Sequence, residues 1–166
     1  LCANVGVQQF GAIDMLTAQD WDWVMSVNVR GVIGTVGAFL PLIRAAEGNR
    51  HIVITASASF FQIGVRMAAY IASKYAVVGY GEVLRMELAG EGINVSMLFP
   101  AGMMTRHLES SVAARPAELG ASRLDMADIR AMTASAGIDG TAHVATADHA
   151  VRNLLRDLDA GEPYII

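Results

Sequence analysis

The sequence of 166 residues is short of charge, and its basic side chains are outnumbered by acidic ones. Charged residues make up 17% of the chain, against about 25% in an ordinary soluble domain. The 12 basic and 16 acidic residues leave no basic surface to neutralise phosphates, which argues against a nucleic-acid partner. A hydrophobic share of 54% and a mean hydropathy of +0.40 exclude a disordered chain, because this composition can bury a large core.

Cysteine, long apolar runs and clustered metal ligands are also scarce. Cys2 is the only cysteine, so no disulfide can form within the chain, and we expect a cytoplasmic location. Long stretches without a charge or a histidine, such as 52–65 and 93–105, are shorter than the roughly 18 apolar residues of a spanning helix, so we expect no membrane partner. The histidines are scattered, which predicts surface positions rather than metal ligands. They are His51, His107, His143 and His149.

Short apolar runs alternate with helical patterns along the chain. The predicted helices are 18–46, 68–89 and 146–159, and the predicted strands are the first residues, 51–55, 93–99 and the last residues from 163. Strands joined by crossovers of helix length predict a doubly wound parallel sheet in one partial α/β domain over 1–166. Because both ends fall inside predicted strands, we expect the chain to be truncated at both. We expect residues 103–142 to form a substrate-binding loop with one or two short helices, and we call this segment the lid.

Ligands of such sheets bind beyond the carboxyl ends of the strands. Three short segments follow the predicted strands directly, and their polar and small residues are therefore the candidates for a ligand site. They are Asn4-Val5-Gly6, Ser57-Ala58-Ser59 and Pro100-Ala101-Gly102.

Tyr70 and Lys74 lie one helical turn apart on the same face of the second predicted helix. A free tyrosine has a pKa near 10, and a neighbouring ammonium that lowers it by ~3 units, worth ~4 kcal/mol, makes it a base at neutral pH. The pair alone occurs by chance in many helices. Ser57 follows a buried strand thirteen residues earlier, where its hydroxyl can polarise a carbonyl that Tyr70 protonates. Asn28 lies in an apolar helical stripe and must be hydrogen-bonded there.

Five motifs in this order resemble the short-chain dehydrogenase/reductase family. They are Asn4-Val5-Gly6, Asn28-Val29-Arg30-Gly31, Thr55-Ala56-Ser57, Tyr70-x-x-x-Lys74 and the segment from Pro100 to Thr105. The resemblance covers nearly the whole chain and implies a Rossmann-like oxidoreductase that transfers hydride between NAD or NADP and an alcohol or carbonyl. Ala101 departs from the glycine that is usual after the proline of the last motif.

The resemblance also implies a role for each matching residue. Tyr70 is expected to be the general acid/base, Lys74 to lower its pKa and bind the nicotinamide ribose, and Ser57 to stabilise the reacting carbonyl. Asn28 is expected to hold a water in a proton relay behind Lys74. The cofactor is expected to contact a further set of residues beside Tyr70 and Lys74. This set is Asn4, Gly6, Pro100, the backbone of Met103, and Thr105.

The glycine-rich phosphate turn of the family has no match in this sequence. Three βα units of roughly 30 residues each, about 90 residues in all, are expected to precede Leu1 and to carry that turn and the residue that selects NAD or NADP. The preference between the two cofactors therefore stays open.

Substrate and assembly can be predicted only in outline. Apolar residues near the motifs predict a pocket for an apolar or aromatic alcohol or ketone, and ordinary core positions are the alternative for half of them; they are Phe60, Phe61, Ile63, Met67, Met103 and Met104. The first two helices carry more small and apolar residues than one sheet face needs, which predicts a homodimer or homotetramer. These residues are Gly31, Gly34, Gly37, Ala76, Val77, Val78, Gly79 and Gly81. A non-catalytic nucleotide-binding or interaction protein on the same fold, or an inactive fragment, is the alternative to an enzyme.

Overall fold

A four-stranded parallel sheet forms the centre of the molecule. The computed structural model describes residues 1–122, 125–137 and 145–166. The strands are β1 (Cys2–Ala3), β2 (Arg50–Thr55), β3 (Ile93–Leu98) and β4 (Tyr164–Ile165), and they neighbour one another in that order. All three pairings are parallel, with Val53 of β2 opposite Cys2 of β1 and Ser96 of β3. The predicted parallel α/β fold is confirmed.

Seven α-helices connect or flank the strands in the described residues. They are α1 (Ala18–Met25), α2 (Gly31–Ala45), α3 (Ala68–Leu88), α4 (His107–Ala113), α5 (Met126–Ser135), α6 (Ala147–Val151) and α7 (Leu154–Asp159). The helix predicted over 18–46 is interrupted by a π-helical turn at Ser26–Arg30, and the helix predicted over 146–159 is divided into α6 and α7. The pattern of apolar residues correctly predicts helical structure in both segments. It does not reveal a local change in the backbone hydrogen-bond register, because such a change leaves the apolar pattern almost unaltered.

The two faces of the sheet are covered by different helices, as a doubly wound fold requires. Ile52 and Ile54 of β2 pack in one apolar cluster with Val36 of α2 and Val77 of α3. Val53 points to the opposite face. There it forms a second cluster that also includes Leu98, Ile165, Leu154 and Leu158. The alternation along β2 is the two-residue period of a strand that is buried on both faces.

Helix starts follow the signals in the sequence. The Thr17 hydroxyl accepts a hydrogen bond from the Asp20 backbone N–H (3.1 Å), and the Asp20 carboxylate accepts one from the Thr17 N–H (2.9 Å). This reciprocal pair is a capping box, which satisfies two backbone donors at the start of α1. Thr146 caps α6 in the same way, by accepting from the His149 N–H.

The continuous helical segment Ala18–Ala45 is long and apolar enough to cross a membrane by length and composition alone. Core helices of soluble proteins also meet this criterion, and here Val32 and Val36 pack into the cluster on the sheet. Within the predicted lid, 103–142, the described residues contain α4 and α5. Residues 123–124 and 138–142 of that segment, and His143, lie outside the described residues.

Candidate active site

The carboxyl end of β2 is joined to α3 by Lys74. The Lys74 ammonium donates to the backbone oxygen of Thr55, the last residue of β2, over 2.9 Å. Its nitrogen also lies 5.6 Å from the centre of the Tyr70 ring. The predicted i, i+4 pair therefore shares one face of α3, and both side chains are buried.

Ser57 lies two residues beyond Thr55 and meets the Tyr70 hydroxyl. The Ser57 hydroxyl is close enough to act on the pKa of the Tyr70 hydroxyl, and the Ser57 oxygen accepts from the backbone N–H of Ser59 (3.1 Å). Extended backbone at Ser57 carries the chain out of the strand and into a short 3-10 turn at Ala58–Phe60. The structure thus brings together Ser57, Tyr70 and Lys74, three side chains that sequence spacing places thirteen and four residues apart.

Burial changes the proton affinity of both ionisable groups. It lowers the pKa of Lys74 from 10.5 to about 8, because an ammonium loses hydration in the interior. It raises the pKa of Tyr70 above 10.0, although the Ser57 hydroxyl opposes the rise. The sequence predicts that Lys74 lowers the pKa of Tyr70; in this ligand-free structure the loss of hydration is the largest effect and the pKa is raised instead.

Asn28 is buried where the π-helical turn separates α1 from α2. Its amide oxygen accepts from the Val7 N–H (2.8 Å), and its amide nitrogen donates to the Val7 carbonyl (2.9 Å) and to the Ser73 hydroxyl (2.9 Å). Both amide N–H groups and the oxygen are therefore engaged with protein atoms, as the sequence predicts for a buried asparagine. The side chain fixes the loop after β1 against α3.

Gly6 lies between Asn28 and Lys74. A methyl group added to Gly6 would be 3.4 Å from the Asn28 amide oxygen and 3.6 Å from the Lys74 nitrogen. The glycine therefore leaves the ammonium open on the side of the loop after β1. Asn4 is exposed and lines a cavity of about 220 Å³ between β1 and the helical segment of Val27 and Thr35.

The segment after β3 lies beside the end of β2. The Pro100 carbonyl accepts from the Ala58 N–H over 2.9 Å, which joins the two loops. Met103 forms a parallel bridge with Ala145, and the exposed Thr105 accepts a weak hydrogen bond from the His107 N–H at 3.3 Å. The three predicted cofactor residues of this segment thus lie on the loop between β3 and α4, and each is tied to a different neighbour.

The apolar surroundings of Tyr70 differ from the predicted pocket wall. Of the six predicted residues, Met67 packs directly in the Tyr70 cluster. Phe60 instead stacks on Tyr75, with ring centres 4.4 Å apart, and joins the cluster on the sheet. Phe60 therefore packs as part of the core against the sheet. The other four predicted wall residues are not in the Tyr70 cluster; they are Phe61, Ile63, Met103 and Met104.

Beside Met67, the surroundings of Tyr70 include residues that were not found from the sequence, namely Phe10, Leu108, Met132 and His107. Phe10 and Met67 are buried with Tyr70, and Leu108 and Met132 from the lid pack against them. The ring of His107 lies 6.1 Å from the ring of Tyr70, centre to centre. Long-range packing of this kind carries no local sequence signal. His107 is also a correction to the predicted surface position, since its Nε2 atom is buried.

An apolar cavity of about 700 Å³ adjoins this cluster without including Tyr70 or Ser57. Met67 and Ile71 are common to the cavity lining and to the Tyr70 cluster. The remaining walls come from the loops 11–14 and 63–66, from Ala68 and Ala72 of α3 and from Ala131 of α5.

Comparisons with known proteins identify relatives of this chain. The chain is 35% identical over 122 residues to a C alpha-dehydrogenase from Sphingobium sp. (strain SYK-6), covering 74% of this chain and 40% of that protein. It is 27% identical over 120 residues to a D-beta-hydroxybutyrate dehydrogenase from Cupriavidus necator, covering 72% and 46%. The chain therefore spans less than half the length of these two curated relatives.

A solved structure gives the same result for the fold. A short-chain dehydrogenase/reductase from Burkholderia phymatum in complex with NAD superposes with a TM-score of 0.80 at 28% identity, covering 99% of this chain and 58% of that one. The model of the family described as short chain dehydrogenase matches residues 1–116. Since that match covers more than half of the sequence, the chain belongs to the short-chain dehydrogenase family of oxidoreductases.

Proposed function

We propose that the protein containing this chain is an NAD- or NADP-dependent oxidoreductase that transfers hydride between the nicotinamide and an alcohol or carbonyl. The observation that carries the proposal is the meeting of the Tyr70 hydroxyl, the Ser57 hydroxyl and the Lys74 ammonium at the carboxyl end of β2. A proton donor, a second hydroxyl and a buried cation at one point suit a carbonyl that is being reduced.

In the direction of reduction, Tyr70 donates its proton to the substrate oxygen as hydride reaches the carbon. Burial keeps Tyr70 protonated, so the acid is ready at neutral pH. Ser57 holds the same oxygen by a hydrogen bond that strengthens as negative charge develops there. The Lys74 ammonium stabilises the phenolate that remains, and in alcohol oxidation that phenolate takes the proton back.

The residues around Lys74 suit a nicotinamide cofactor. Only one of the three ammonium N–H groups is used by the Thr55 carbonyl, and Gly6 leaves the nitrogen open. Free N–H groups on a buried cation fit the hydroxyl pair of a ribose. When bound, the cofactor supplies the hydride.

We propose that Lys74 and Tyr70 hold the ribose, while Asn4 and Gly6 line the approach. Pro100, the backbone of Met103, and Thr105 would bound the nicotinamide from the loop after β3. The NAD complex of the Burkholderia phymatum protein supports a nicotinamide cofactor, and both NAD and NADP remain candidates. Asn28 positions the loop after β1 through its two side-chain bonds to Val7, and the water-holding role in the proton relay that the family resemblance implies stays a prediction.

The substrate we propose is a small alcohol or ketone with an apolar or aromatic group beside the reacting carbon. Phe10, Met67, Leu108 and Met132 surround Tyr70 with apolar surface. The C alpha-dehydrogenase and the D-beta-hydroxybutyrate dehydrogenase among the relatives support oxidation of a secondary alcohol.

We also propose that the protein is a homodimer or homotetramer. The outer surface of α2 and α3 exposes apolar side chains, among them Leu42 (66% exposed), Val83 (54%) and Met86 (71%). Gly79 lies open on the same side of α3. Val77, Val78 and Gly81 do not belong to this surface, because they are buried against the sheet.

The function is tested in the full-length protein by replacing Tyr70 with phenylalanine. We expect Tyr70→Phe to reduce kcat for acetophenone reduction and 1-phenylethanol oxidation by ~10²–10⁴-fold, while NADH binding by fluorescence titration is retained. Tyr75→Phe is the matched control, since Tyr75 lies on the same helix but donates to the Phe60 carbonyl. Equal turnover in Tyr70→Phe and wild type would remove Tyr70 from the mechanism. NADH binding without turnover of any alcohol or ketone would favour a non-catalytic nucleotide-binding protein.

A further inference from the structure

His107 has a buried nitrogen that no protein group satisfies. The Nε2 atom is excluded from solvent and has no hydrogen-bond partner among the described residues. Imidazole nitrogens are strong donors or acceptors, and buried polar atoms in native proteins are nearly always paired. An unpaired nitrogen at a ligand site indicates that a bound molecule completes its hydrogen bond.

The position of His107 places this nitrogen beside the reacting groups. The His107 ring lies 6.1 Å from the Tyr70 ring, with the two planes at 55°. The next residue, Leu108, packs in the apolar cluster with Tyr70 and Met67. His107 therefore lies next to Tyr70, at the edge of the apolar cluster that surrounds the reacting hydroxyl.

The backbone around His107 is held in place. The Ser111 hydroxyl donates to the His107 carbonyl (2.7 Å) and accepts from the Gln8 N–H (3.0 Å). These two bonds join α4 to the loop that follows β1. The ring is thus carried on a fixed helical turn rather than on a free loop.

The nearby protein groups already have partners. Lys74 donates to the Thr55 carbonyl, and the Tyr70 hydroxyl lies close to that of Ser57. Burial, followed by the positive charge of Lys74, lowers the pKa of His107. The ring is therefore neutral at pH 7 and offers one N–H or one lone pair at Nε2, which suits an uncharged polar group.

We infer that His107 is a specificity-determining residue whose Nε2 hydrogen-bonds to an uncharged carbonyl, amide or hydroxyl group next to the reacting carbon. This inference rests on the proposed oxidoreductase function. The group belongs either to the nicotinamide carboxamide or to a substrate with a second oxygen beside its carbonyl. Both groups can form the same hydrogen bond with Nε2. Substitution of His107 is expected to change cofactor affinity if the group belongs to the nicotinamide, and kcat/KM for one class of ketone if it belongs to the substrate.

The experiment compares two variants of the full-length protein with a neighbouring control. His107→Phe retains a flat ring and removes both nitrogens, whereas His107→Gln retains a polar amide. Arg106→Gln is the control, because the adjacent Arg106 side chain is 81% exposed and pairs only with Glu109 among the described residues. The measurements are the Kd of NADH and of NADPH, and kcat and KM for acetophenone and 2-hydroxyacetophenone.

A substrate contact predicts that His107→Phe lowers kcat/KM for 2-hydroxyacetophenone about tenfold, equivalent to about 1.4 kcal/mol, with acetophenone unchanged. A cofactor contact predicts a rise of about tenfold in the Kd of NADH or NADPH. In either case His107→Gln recovers part of the loss, and Arg106→Gln behaves as wild type. An unchanged Kd and an unchanged ratio of the two kcat/KM values in His107→Phe would overturn the inference.

Thermal unfolding separates this role from a structural one. Replacement of an unpaired buried nitrogen by carbon leaves the ligand-free protein as stable or more stable, so we expect the Tm of His107→Phe to equal or exceed that of wild type. A lower Tm together with equal losses for both ketones would assign His107 to packing and overturn the inference. If the wild type turns over no substrate, the proposed function fails, while the NADH titration still tests His107.

Discussion

The Lys74 ammonium reaches the Thr55 carbonyl over 2.9 Å and so joins helix α3 to the carboxyl end of strand β2. This bond places a buried positive charge beside Tyr70 and Gly6. Burial lowers the pKa of Lys74 to about 8. At neutral pH, where Lys74 is charged, the same burial lowers the free energy of unfolding. The site that we propose for catalysis is therefore a source of instability in the ligand-free protein.

Lys74→Met is expected to stabilise the ligand-free protein at pH 7. The shift of the Lys74 pKa from 10.5 to about 8 corresponds to a destabilisation of about 3 kcal/mol, which the variant no longer carries. The variant also loses the hydrogen bond to Thr55, and this loss costs about 1 kcal/mol of the gain. Because the folded state binds fewer protons than the unfolded state between these pKa values, the stability of wild type rises with pH there. Urea unfolding at pH 7 and near pH 10 measures both effects: the advantage of Lys74→Met shrinks at the higher pH. A less stable variant at pH 7 would contradict the buried-charge argument.

The two directions of the reaction are expected to differ in pH dependence. Since burial raises the pKa of Tyr70 above 10.0, the hydroxyl stays protonated, and kcat/KM for carbonyl reduction should be nearly constant from about pH 6 to pH 7 and fall as Lys74 loses its proton near pH 8. Alcohol oxidation needs the phenolate and should increase with pH until the loss of the Lys74 ammonium opposes the increase. An oxidation profile with its midpoint near pH 7 would instead show that Lys74 lowers the pKa of Tyr70 in the free enzyme, as the sequence alone predicts.

The sequence was sufficient for the parallel sheet and for the meeting of Ser57, Tyr70 and Lys74. These follow from short-range patterns: apolar strand runs, helical periodicity, and the rule that ligands bind at the carboxyl ends of parallel strands. The π-helical turn at Ser26–Arg30 could not be predicted from the sequence, because it leaves the pattern of apolar residues unchanged. The burial of His107 and the packing of Phe10 and Met132 on Tyr70 depend on contacts between distant segments, and neither residue type nor spacing reveals those contacts.

Gly6→Ala is expected to weaken cofactor binding without unfolding the protein. The added methyl group would lie 3.6 Å from the Lys74 nitrogen and 3.4 Å from the Asn28 amide oxygen, distances of ordinary contact. The methyl group covers the side of the ammonium that we propose for the ribose. NADH titration should show a rise in Kd of about tenfold with little change in Tm. Gly34→Ala, a substitution into open space, serves as the control, and an unchanged Kd in Gly6→Ala would place the ribose elsewhere.

The ion pair of Asp20 and Arg115 is expected to stabilise the lid against α1. The two charged groups are 2.7 Å apart, with side chains 9% and 8% exposed, and Arg115 also donates to the Gln9 side-chain oxygen. Removal of one partner from a buried pair costs about 3 kcal/mol, so we expect that loss for Arg115→Met in urea unfolding at pH 7. Arg106→Gln, which breaks an exposed pair with Glu109, should change stability far less.

Acid unfolding gives a second measure of the same pair. Burial alone would raise the pKa of Asp20, but hydrogen bonds from Thr17 and Arg115 outweigh it and lower the pKa below 3.8. A lowered folded pKa means that the stabilisation is complete above the unfolded value of about 3.9 and is lost as the pH falls through the folded value. Without Arg115 the folded pKa rises, so the acid-unfolding midpoint of Arg115→Met, measured by far-UV circular dichroism, should move to higher pH. A midpoint at or below that of wild type would show that Thr17 alone holds the carboxylate.

A charge on the outer surface of α3 is expected to separate the subunits of the proposed oligomer. Met86 is 71% exposed, so Met86→Glu is harmless to a single subunit but buries an unpaired carboxylate if a second copy covers that surface. Light scattering at micromolar concentration should then give a monomeric mass for Met86→Glu and a multiple of it for wild type. Met126→Glu, which places the same charge on an exposed position of α5, should remain oligomeric. A wild type that is monomeric throughout would reject the oligomer, and loss of assembly in both variants would show that α2 and α3 are not the specific contact.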